Sequence, residues 1–339
     1  MKQIRIFGFT ASLVLFVLLM TAGCADHARQ TSQNKVEPQE QSSAPKLALK
    51  LAAGDSTTYR ITRQNDKSVD WQGPDESKPK QFTGGHTGSR IEMTFTQQIQ
   101  STDDKGNAVA KITIKGLKYF TRVKDQAVLD FDGSREKDLS SPLSKLIGQS
   151  YTIELTAPGQ VSKVIDAAGA RAAVQGDSSA HKTAANLLSD DTIKEMHTVS
   201  ALPPADKDQV RPGENWSSIE SFSFDLMGAK SYEKIYTLKE IEKKQNHRIA
   251  TALMKAVPSA AMAKELHKEQ GSPFLSNMFD NTEAYSGELK LDLTDGKVNH
   301  WREELTIEWM IADPNAKPDE QPAALKMTAT RLYSIERID

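Results

Sequence analysis

The sequence predicts an α+β fold that is predominantly antiparallel β, built as a curved sheet or half-barrel. Apolar residues alternate with polar ones along many stretches, turn signals join neighbouring stretches, and helix-like segments are confined to two places. Strands that follow one another through short turns favour antiparallel meanders over βαβ units. A resemblance between the two halves of the chain further predicts two similar β-units joined by short helices.

The N-terminus has the organisation of an export signal. Lys2 and Arg5 form a basic region, an apolar run covers residues 6–20, and small residues precede Cys24. The apolar run is shorter than the stretch of about 20 residues that a membrane-spanning helix requires. We therefore expect residues 1–23 to be a lipoprotein signal peptide that is removed after export.

Cys24 is the only cysteine of the chain, so it can form neither an intramolecular disulfide nor a multi-cysteine metal site. Thr21–Cys24 resembles the lipobox of bacterial lipoproteins, although leucine is usual where Thr21 stands. The resemblance implies that Cys24 carries acyl chains such as palmitate and holds an extracytoplasmic protein on a bacterial membrane. Because Ala25 rather than aspartate follows the cysteine, the resemblance favours the outer membrane in a host with two membranes.

The remaining chain divides by composition. Residues 24–46 comprise the lipidated cysteine and a polar stretch that is predicted to be a flexible tether, because it has almost no apolar side chains to bury. We expect residues 47–201 to form a first β-unit with connecting helices. Residues 202–339 are expected to form a second β-unit with a helical insertion at 258–280.

Alternating patterns predict individual strands and their turns. Ile91, Met93 and Phe95 alternate with polar residues, as expected for a strand with one buried face. Residues 151–155 alternate in the same way and precede Pro158-Gly159, which suits a type II turn. Residues 289–293 precede Asp295-Gly296, which is a hairpin signal.

Two further features concern the shape of the sheet. Gly116 interrupts the alternation of one strand, which predicts a β-bulge that bends it. Gly54-Asp55 before Tyr59 parallels Gly213-Glu214 before Trp216, and similar hairpins follow in each half. A duplication would explain this order, and chance similarity among amphipathic strands is the alternative.

Helical signals are grouped. Residues 166–201 are rich in Ala and Leu, with Ser178 and Asp191 as predicted N-caps. A second helix is predicted to begin at Pro258 and end at Gly271. The associated apolar side chains are predicted either to line a ligand-binding cavity or to pack as ordinary core: Met262, Leu266, Phe274, Leu275, Met278 and Phe279.

Three landmarks together resemble a family of large bacterial envelope lipoproteins of unknown function: Leu47–Tyr59, the hairpin at Pro158-Gly159, and Leu202–Trp216. This resemblance implies a β-rich extracytoplasmic domain and supplies no catalytic residues. A curved antiparallel sheet with lid-like helices is also similar in architecture to the half-barrel lipoprotein carriers LolA and LolB, which is an analogy of fold only.

The sequence offers little that indicates catalysis. It contains no G-x-S-x-G, Walker or G-x-G-x-x-G motif. Its seven histidines lack the spacing of a helical zinc site, so we expect no metal site and no cofactor. The acidic pairs Asp103-Asp104, Asp190-Asp191 and Glu303-Glu304 fit a turn, a helix start and a strand face. The 43 basic and 45 acidic side chains are well mixed, which argues against a nucleic-acid partner.

The favoured function is a non-catalytic, lipid-anchored envelope protein that binds a partner protein or has a structural role. One alternative is a carrier that holds an apolar or acyl ligand in its concave sheet. A second alternative is a hydrolase whose site is dispersed over the fold, since paired carboxylates can be assembled from distant residues.

Overall fold

A computed structural model describes most of the chain after the predicted tether. The described residues are 44–75, 78, 80, 82–224, 227–260, 280–312 and 324–339. The predicted signal peptide, Cys24 and all but the end of the tether lie outside these residues. The six apolar residues from Met262 to Phe279 lie outside them as well.

Within these residues, long alternating segments form twelve strands in one sheet. The first six are β1 (Ser56–Gln72), β2 (Gly85–Thr102), β3 (Ala108–Val123), β4 (Gln126–Asp132), β5 (Ser150–Leu155) and β6 (Val161–Asp166). The others are β7 (Asn215–Ser223), β8 (Ala229–Lys244), β9 (His247–Pro258), β10 (Asp280–Asp292), β11 (Lys297–Ala312) and β12 (Ala324–Arg337).

The strand order is β6-β5-β3-β2-β1-β12-β11-β10-β9-β8-β7, with β4 paired to β3. Two antiparallel meanders, one from each half of the chain, are joined where β1 pairs with β12. The sheet is open and curved, which confirms the predicted fold class. Whether the two halves arose by duplication stays a prediction.

The predicted bulge at Gly116 is confirmed. Thr94 of β2 lies opposite Gly116, whereas the next residue, Phe95, lies opposite Ile114, so Lys115 is the extra residue. An extra residue on one strand increases the local twist and bends the strand. Pro258, which the sequence placed at the start of a helix, is instead the last residue of β9.

Three short helices follow β6: α1 (Ala168–Ala173), α2 (Ser179–Leu187) and α3 (Asp190–His197). The Ser178 side chain accepts a hydrogen bond from the His181 amide, which confirms Ser178 as the N-cap of α2. The N-cap of α3 is Ser189, not the predicted Asp191. The Ser189 side chain accepts a hydrogen bond from the Thr192 amide. Asp191 lies in the first turn, where its negative charge interacts favourably with the helix dipole.

Helix α3 and the segment after it contact strands from both halves of the sheet. His197 of α3 lies edge-on to Phe95 of β2, with ring centroids 4.7 Å apart. The Tyr333 hydroxyl of β12 donates to the Met196 carbonyl at 2.9 Å, and the Trp216 indole of β7 donates to the Ala201 carbonyl at 3.0 Å. The buried apolar residues of both meanders and the helices form one cluster. Within the described residues, no helix is both long and apolar enough to cross a membrane.

Candidate functional site

A cleft of about 260 Å³ opens between the α3 region and the centre of the sheet. Its charged lining residues are Arg63, Lys194, Glu195, Glu220, Glu303 and Arg331. Its apolar and aromatic lining residues include Phe222, Tyr285, Trp301, Leu305 and Tyr333. A cleft that combines aromatic walls with a few charged groups has the composition of a binding site.

Strand register explains why these residues meet. One row across the sheet runs from Tyr236 of β8 through Met254, Gly287, Glu303 and Tyr333 to Arg63 of β1. In the adjoining part of the sheet, Leu305 lies opposite Arg331. Because side chains two residues apart on a strand share a face, these neighbouring positions point to the same side of the sheet.

Glu303 is the centre of a buried polar group that we call the Glu303 cluster: Glu303, Lys234, Tyr236, Tyr285 and Trp301. The Glu303 carboxylate accepts hydrogen bonds from the Tyr236 hydroxyl, from the Tyr285 hydroxyl at 2.8 Å and from the Trp301 indole at 3.1 Å. Lys234 Nζ lies 3.2 Å from the same carboxylate. A carboxylate that is 6% exposed is therefore surrounded by donors, which is the condition for keeping a charge buried.

Lys234 is the cationic member of the cluster and is 1% exposed. Its ammonium group also lies 2.6 Å from the Glu220 carboxylate and donates to the Ser200 hydroxyl at 3.0 Å. Burial alone would lower the pKa of Lys234, but the charges of Glu303 and Glu220 outweigh it and raise this pKa above its usual value. Lys234 therefore stays charged at neutral pH.

The two tyrosines of the cluster are held in their neutral form. Burial raises the pKa of Tyr236 and of Tyr285, and the nearby Glu303 carboxylate raises both further. A protonated phenol donates a hydrogen bond and does not act as a base. Both side chains therefore stabilise Glu303 as hydrogen-bond donors.

Gly287 provides the space that the cluster occupies. It lies opposite Glu303 on one side and Met254 on the other. A Cβ atom at this position would lie 2.6 Å from the Arg302 carbonyl oxygen and 3.0 Å from Glu303 Cγ. The missing side chain on β10 thus leaves room for Lys234 and Tyr236 of β8 to reach Glu303 of β11.

Arg331 differs from the other cations of the cleft. Its guanidinium stacks on Phe222 at 4.7 Å and lies 5.5 Å from the Phe224 ring centre. Burial lowers the pKa of Arg331 from its ordinary high value. Among the described residues, no carboxylate forms an ion pair with it, and its hydrogen bond to the Ser223 carbonyl is long at 3.4 Å.

The acids nearest to Arg331 already have partners. Glu195 of α3 pairs with Arg63, and Glu220 pairs with Lys234. Lys194, at the edge of the cleft, has no ion pair within the described part of the chain. The cleft therefore presents two cations, Arg331 and Lys194, whose charge is not matched by a direct carboxylate contact.

Sequence reasoning assigned Glu303-Glu304 to a strand, and both residues lie on β11, but it did not identify this site. Glu304 is exposed, with 46% of its side chain accessible, but Glu303 has the parity of the buried Trp301 and Leu305. Lys234 likewise shares parity with the buried Tyr232 and Tyr236. A charged residue at an apolar position of an alternating strand was the signal that could have identified both.

A second polar group joins two hairpin ends. His247, Asp292 and Asp295 place potential ligand atoms within 4.8 Å of one another, although their spacing in the sequence does not suggest a metal site. His247 Nδ1 lies 2.6 Å from Asp292 Oδ2, and Arg337 donates to Asp295 Oδ2 at 2.7 Å. The ion pair with Arg337 and the contact with His247 each engage one aspartate oxygen, and Asp295 Oδ1 is buried without a hydrogen-bond partner among the described residues.

The chain belongs to DUF6263, a family of unknown function, whose profile matches residues 105–296. No curated protein matches it in sequence. Among solved structures, lipovitellin, from a study of its lipid–protein interactions, aligns with 85% of this chain at 10% identity and a TM-score of 0.40, and the chain spans 25% of lipovitellin. DynF from the dynemicin biosynthesis pathway of Micromonospora chersina aligns over 92% of this chain and 94% of its own, at 8% identity and a TM-score of 0.19. The function of the family is unknown, so the geometry of the cleft is the basis for a functional proposal.

Proposed function

We propose that this DUF6263 member is a non-catalytic, lipid-anchored module of the bacterial cell envelope that binds a partner through the cleft. The observation that carries the proposal is Arg331, a half-buried guanidinium stacked on aromatic rings and without a carboxylate partner among the described residues. Such a group gains most from a carboxylate or another planar anion that it can bind through two hydrogen bonds. The partner therefore presents an anionic group on an apolar body.

A non-catalytic role is supported by the state of the polar groups. Glu303 accepts from four donors, Lys234 is ion-paired, and both cluster tyrosines stay protonated. A general base or nucleophile needs a free lone pair aimed at substrate, and the cluster directs its acceptors inward. These groups hold the cleft in shape, and the cations at its edge make the contact.

The size of the cleft favours part of a partner over a whole small ligand. Its 260 Å³ lies below the range of about 300–1,000 Å³ for sites that enclose a drug-sized molecule. Helix α3 also packs against the face of the sheet that carries the cleft, which an acyl carrier would leave open. The carrier alternative rests on the cluster from Met262 to Phe279, which lies outside the described residues.

Anchoring is supported by the signal-peptide pattern and the lone Cys24. The tether ends where Lys46 bridges to Gln209, so the folded domain begins close to the connection that leads into β7. Cys24→Ala is expected to move the mature protein from the membrane fraction to the soluble extracytoplasmic fraction. Persistence in membranes after a high-salt wash would contradict lipid anchoring.

Binding at Arg331 is tested with a minimal probe, N-acetylphenylalanine, which has one carboxylate on an aromatic body. Isothermal titration of the purified full-length protein in detergent is expected to give a dissociation constant near 1 mM, as befits one small contact. The neutral amide of the same probe and the Arg331→Gln variant are both expected to bind at least ten times more weakly. Arg302→Gln, an exposed arginine on β11, is the matched control and should bind as the wild type does.

The proposal fails if the acid and the amide bind equally, if neither binds, or if Arg331→Gln retains full affinity. Thermal melts of both variants accompany the titrations. Equal melting temperatures show that a loss of binding belongs to the guanidinium and not to a loss of fold.

A further inference from the structure

The sheet has two ends, and the described residues cover only one of them. β6, at one end, is six residues long, contains Lys163 and has two register irregularities with β5. Its Val161 amide donates to the Thr198 hydroxyl at 3.1 Å, so the segment after α3 covers this edge. Bulges, a lysine and a covering segment are the features that prevent an edge strand from pairing with another chain.

β7, at the other end, shows none of these features within the described part of the chain. It is nine residues long, contains no lysine, arginine or proline, and pairs in unbroken register with β8. Ile219, near its centre, is 44% exposed. A regular edge strand with an exposed β-branched residue is a template for an added strand.

The register shows which backbone groups face outward. The Leu238 amide donates to the Glu214 carbonyl at 3.0 Å before β7, and the Phe224 amide donates to the Gly228 carbonyl at 2.8 Å after it. Hydrogen-bonded pairs alternate along an antiparallel ladder, so the even-numbered residues of β7 bond to β8. The amides and carbonyls of Ser217, Ile219 and Ser221 therefore point away from the sheet, and no described residue forms a backbone hydrogen bond with them.

A groove of about 520 Å³ runs beside this edge. It is lined by β7 and by apolar residues of two connections: Ser217, Ile219, Pro158, Leu202, Pro203 and Pro204. Ser218 also lines it, and the Ser218 hydroxyl is buried without a hydrogen-bond partner among the described residues. Because proline has no amide hydrogen, the prolines of this wall cannot donate backbone hydrogen bonds to the carbonyls of β7.

The groove continues into the cleft. Ser200 and Glu220 line both, and Phe222, two residues further along β7, lines the cleft. A strand that pairs with Ser217–Ser221 would thus extend towards Arg331 and Lys194. These two cations favour an acidic residue at that end of the added strand.

We propose that β7 accepts an extended peptide segment of a partner protein as an additional antiparallel or parallel strand, with an acidic side chain of that segment in the cleft. The inference rests on the proposed function, because it identifies the partner whose anionic group Arg331 binds. Main-chain hydrogen bonds to β7 supply affinity, and the groove and cleft select side chains. The three outward-facing residues match a segment of about five residues.

The test uses a proline at an outward-facing position. Ile219→Pro removes an amide that does not bond to β8, and proline is tolerated on an edge strand at such a site. Ile219→Thr keeps the amide and the β-branch and serves as the control. A phage-displayed library of random dodecapeptides is selected on the full-length wild-type protein in detergent, and the enriched peptides are synthesised.

Fluorescence anisotropy of the synthetic peptides is expected to show at least tenfold weaker binding to Ile219→Pro. Binding to Ile219→Thr should lie within threefold of the wild type. The enriched peptides should alternate β-branched and polar residues and carry an acid near one end. Methylation of a peptide backbone amide that pairs with β7 should weaken binding by at least tenfold. If the peptide bound through side chains alone, this methylation would not have that effect.

Several outcomes would overturn the inference: no enriched peptide, equal binding to Ile219→Pro, or a wild-type dimer in native mass spectrometry that Ile219→Pro dissolves, since β7 then pairs with a second copy. Arg331→Gln separates the two proposals. If it leaves peptide affinity unchanged while Ile219→Pro abolishes it, strand addition stands and the cleft proposal fails. If Arg331→Gln abolishes binding and Ile219→Pro does not, the cleft proposal stands and strand addition fails.

Discussion

The two halves of the sheet use their inner faces differently. In the half formed by β1–β6, the described interior is uncharged, and its buried histidine, His197, is hydrogen-bonded to the Tyr151 hydroxyl across 2.7 Å. In the half formed by β7–β12, the described buried residues include three with ionisable side chains: Lys234, Asp292 and Glu303. Buried charge is costly and needs partners on every side. Under the proposed function, the first half acts chiefly as a scaffold and the second half supplies the Glu303 cluster, while Arg63 of β1 and Glu195 of α3 complete the lining of the cleft.

The largest expected effect is that of Glu303→Leu. Removing the carboxylate leaves Lys234 buried beside only the partly exposed Glu220, so the free energy of unfolding should fall by about 3–5 kcal/mol. Urea denaturation measures the change. Glu304→Leu, one residue away on the outer face, is the control and should stay within about 0.5 kcal/mol of the wild type.

A double variant sharpens this result. Lys234→Met combined with Glu303→Leu removes both charges, and it should be more stable than Glu303→Leu alone, because an apolar pair replaces an unpaired cation. If the single and double variants are equally unstable, the loss comes from packing, and the contrast in charge between the halves does not explain it.

Gly287→Ala tests the space on which the cluster depends. The new methyl group would press on the Arg302 carbonyl and on Glu303, so we expect a loss of about 1–3 kcal/mol in the free energy of unfolding. Gly169→Ala in α1 is the control, because a Cβ there meets nothing within 4 Å. That change should stabilise the protein by up to about 1 kcal/mol. Equal effects at both glycines would contradict the role assigned to Gly287.

The scaffold half should show a smaller, pH-dependent effect through His197. Burial lowers the pKa of His197 to about 3, from an ordinary value near 6.5, so the unfolded chain binds more protons than the folded one between these values. Stability contributed by the neutral imidazole is present above pH 6.5 and is lost as the pH falls. Between pH 7 and pH 5.5 the wild type should lose about 1 kcal/mol for this reason.

His197→Phe serves as the matched variant in urea denaturation at the two pH values. The variant should not show the loss of about 1 kcal/mol between pH 7 and pH 5.5 that is due to His197, whatever its stability at pH 7. An unchanged pH dependence would mean that His197 is not buried in its neutral form.

Most of the fold followed from local patterns in the sequence. Alternation identified strands such as β2 and β5, and Gly116 and Ser178 acted as predicted because a bulge and an N-cap depend on neighbouring residues. Asp191 was wrong as an N-cap because three consecutive residues, Ser189, Asp190 and Asp191, all carry suitable side chains, and only the backbone geometry identifies Ser189 as the cap.

The candidate site could not be predicted from the sequence, for a different reason. Lys234 and Glu303 are 69 positions apart, and the strands between them must be in the observed register for the two side chains to meet. Parity alone marks each residue as buried but does not identify its partner. Arg331 is equally inconspicuous in sequence, because its significance lies in the absence of a carboxylate among its described neighbours.

The central claim, that a partner binds through the cleft, is tested most directly in the native envelope. A photoreactive amino acid is placed at Phe222 in the full-length lipoprotein, and the same amino acid is placed at the exposed Leu253 of β9 as a control. The account predicts one discrete cross-linked product from position 222 that Arg331→Gln removes, and none of that mass from position 253. No product from position 222, or the same products from both positions with and without Arg331, would contradict it.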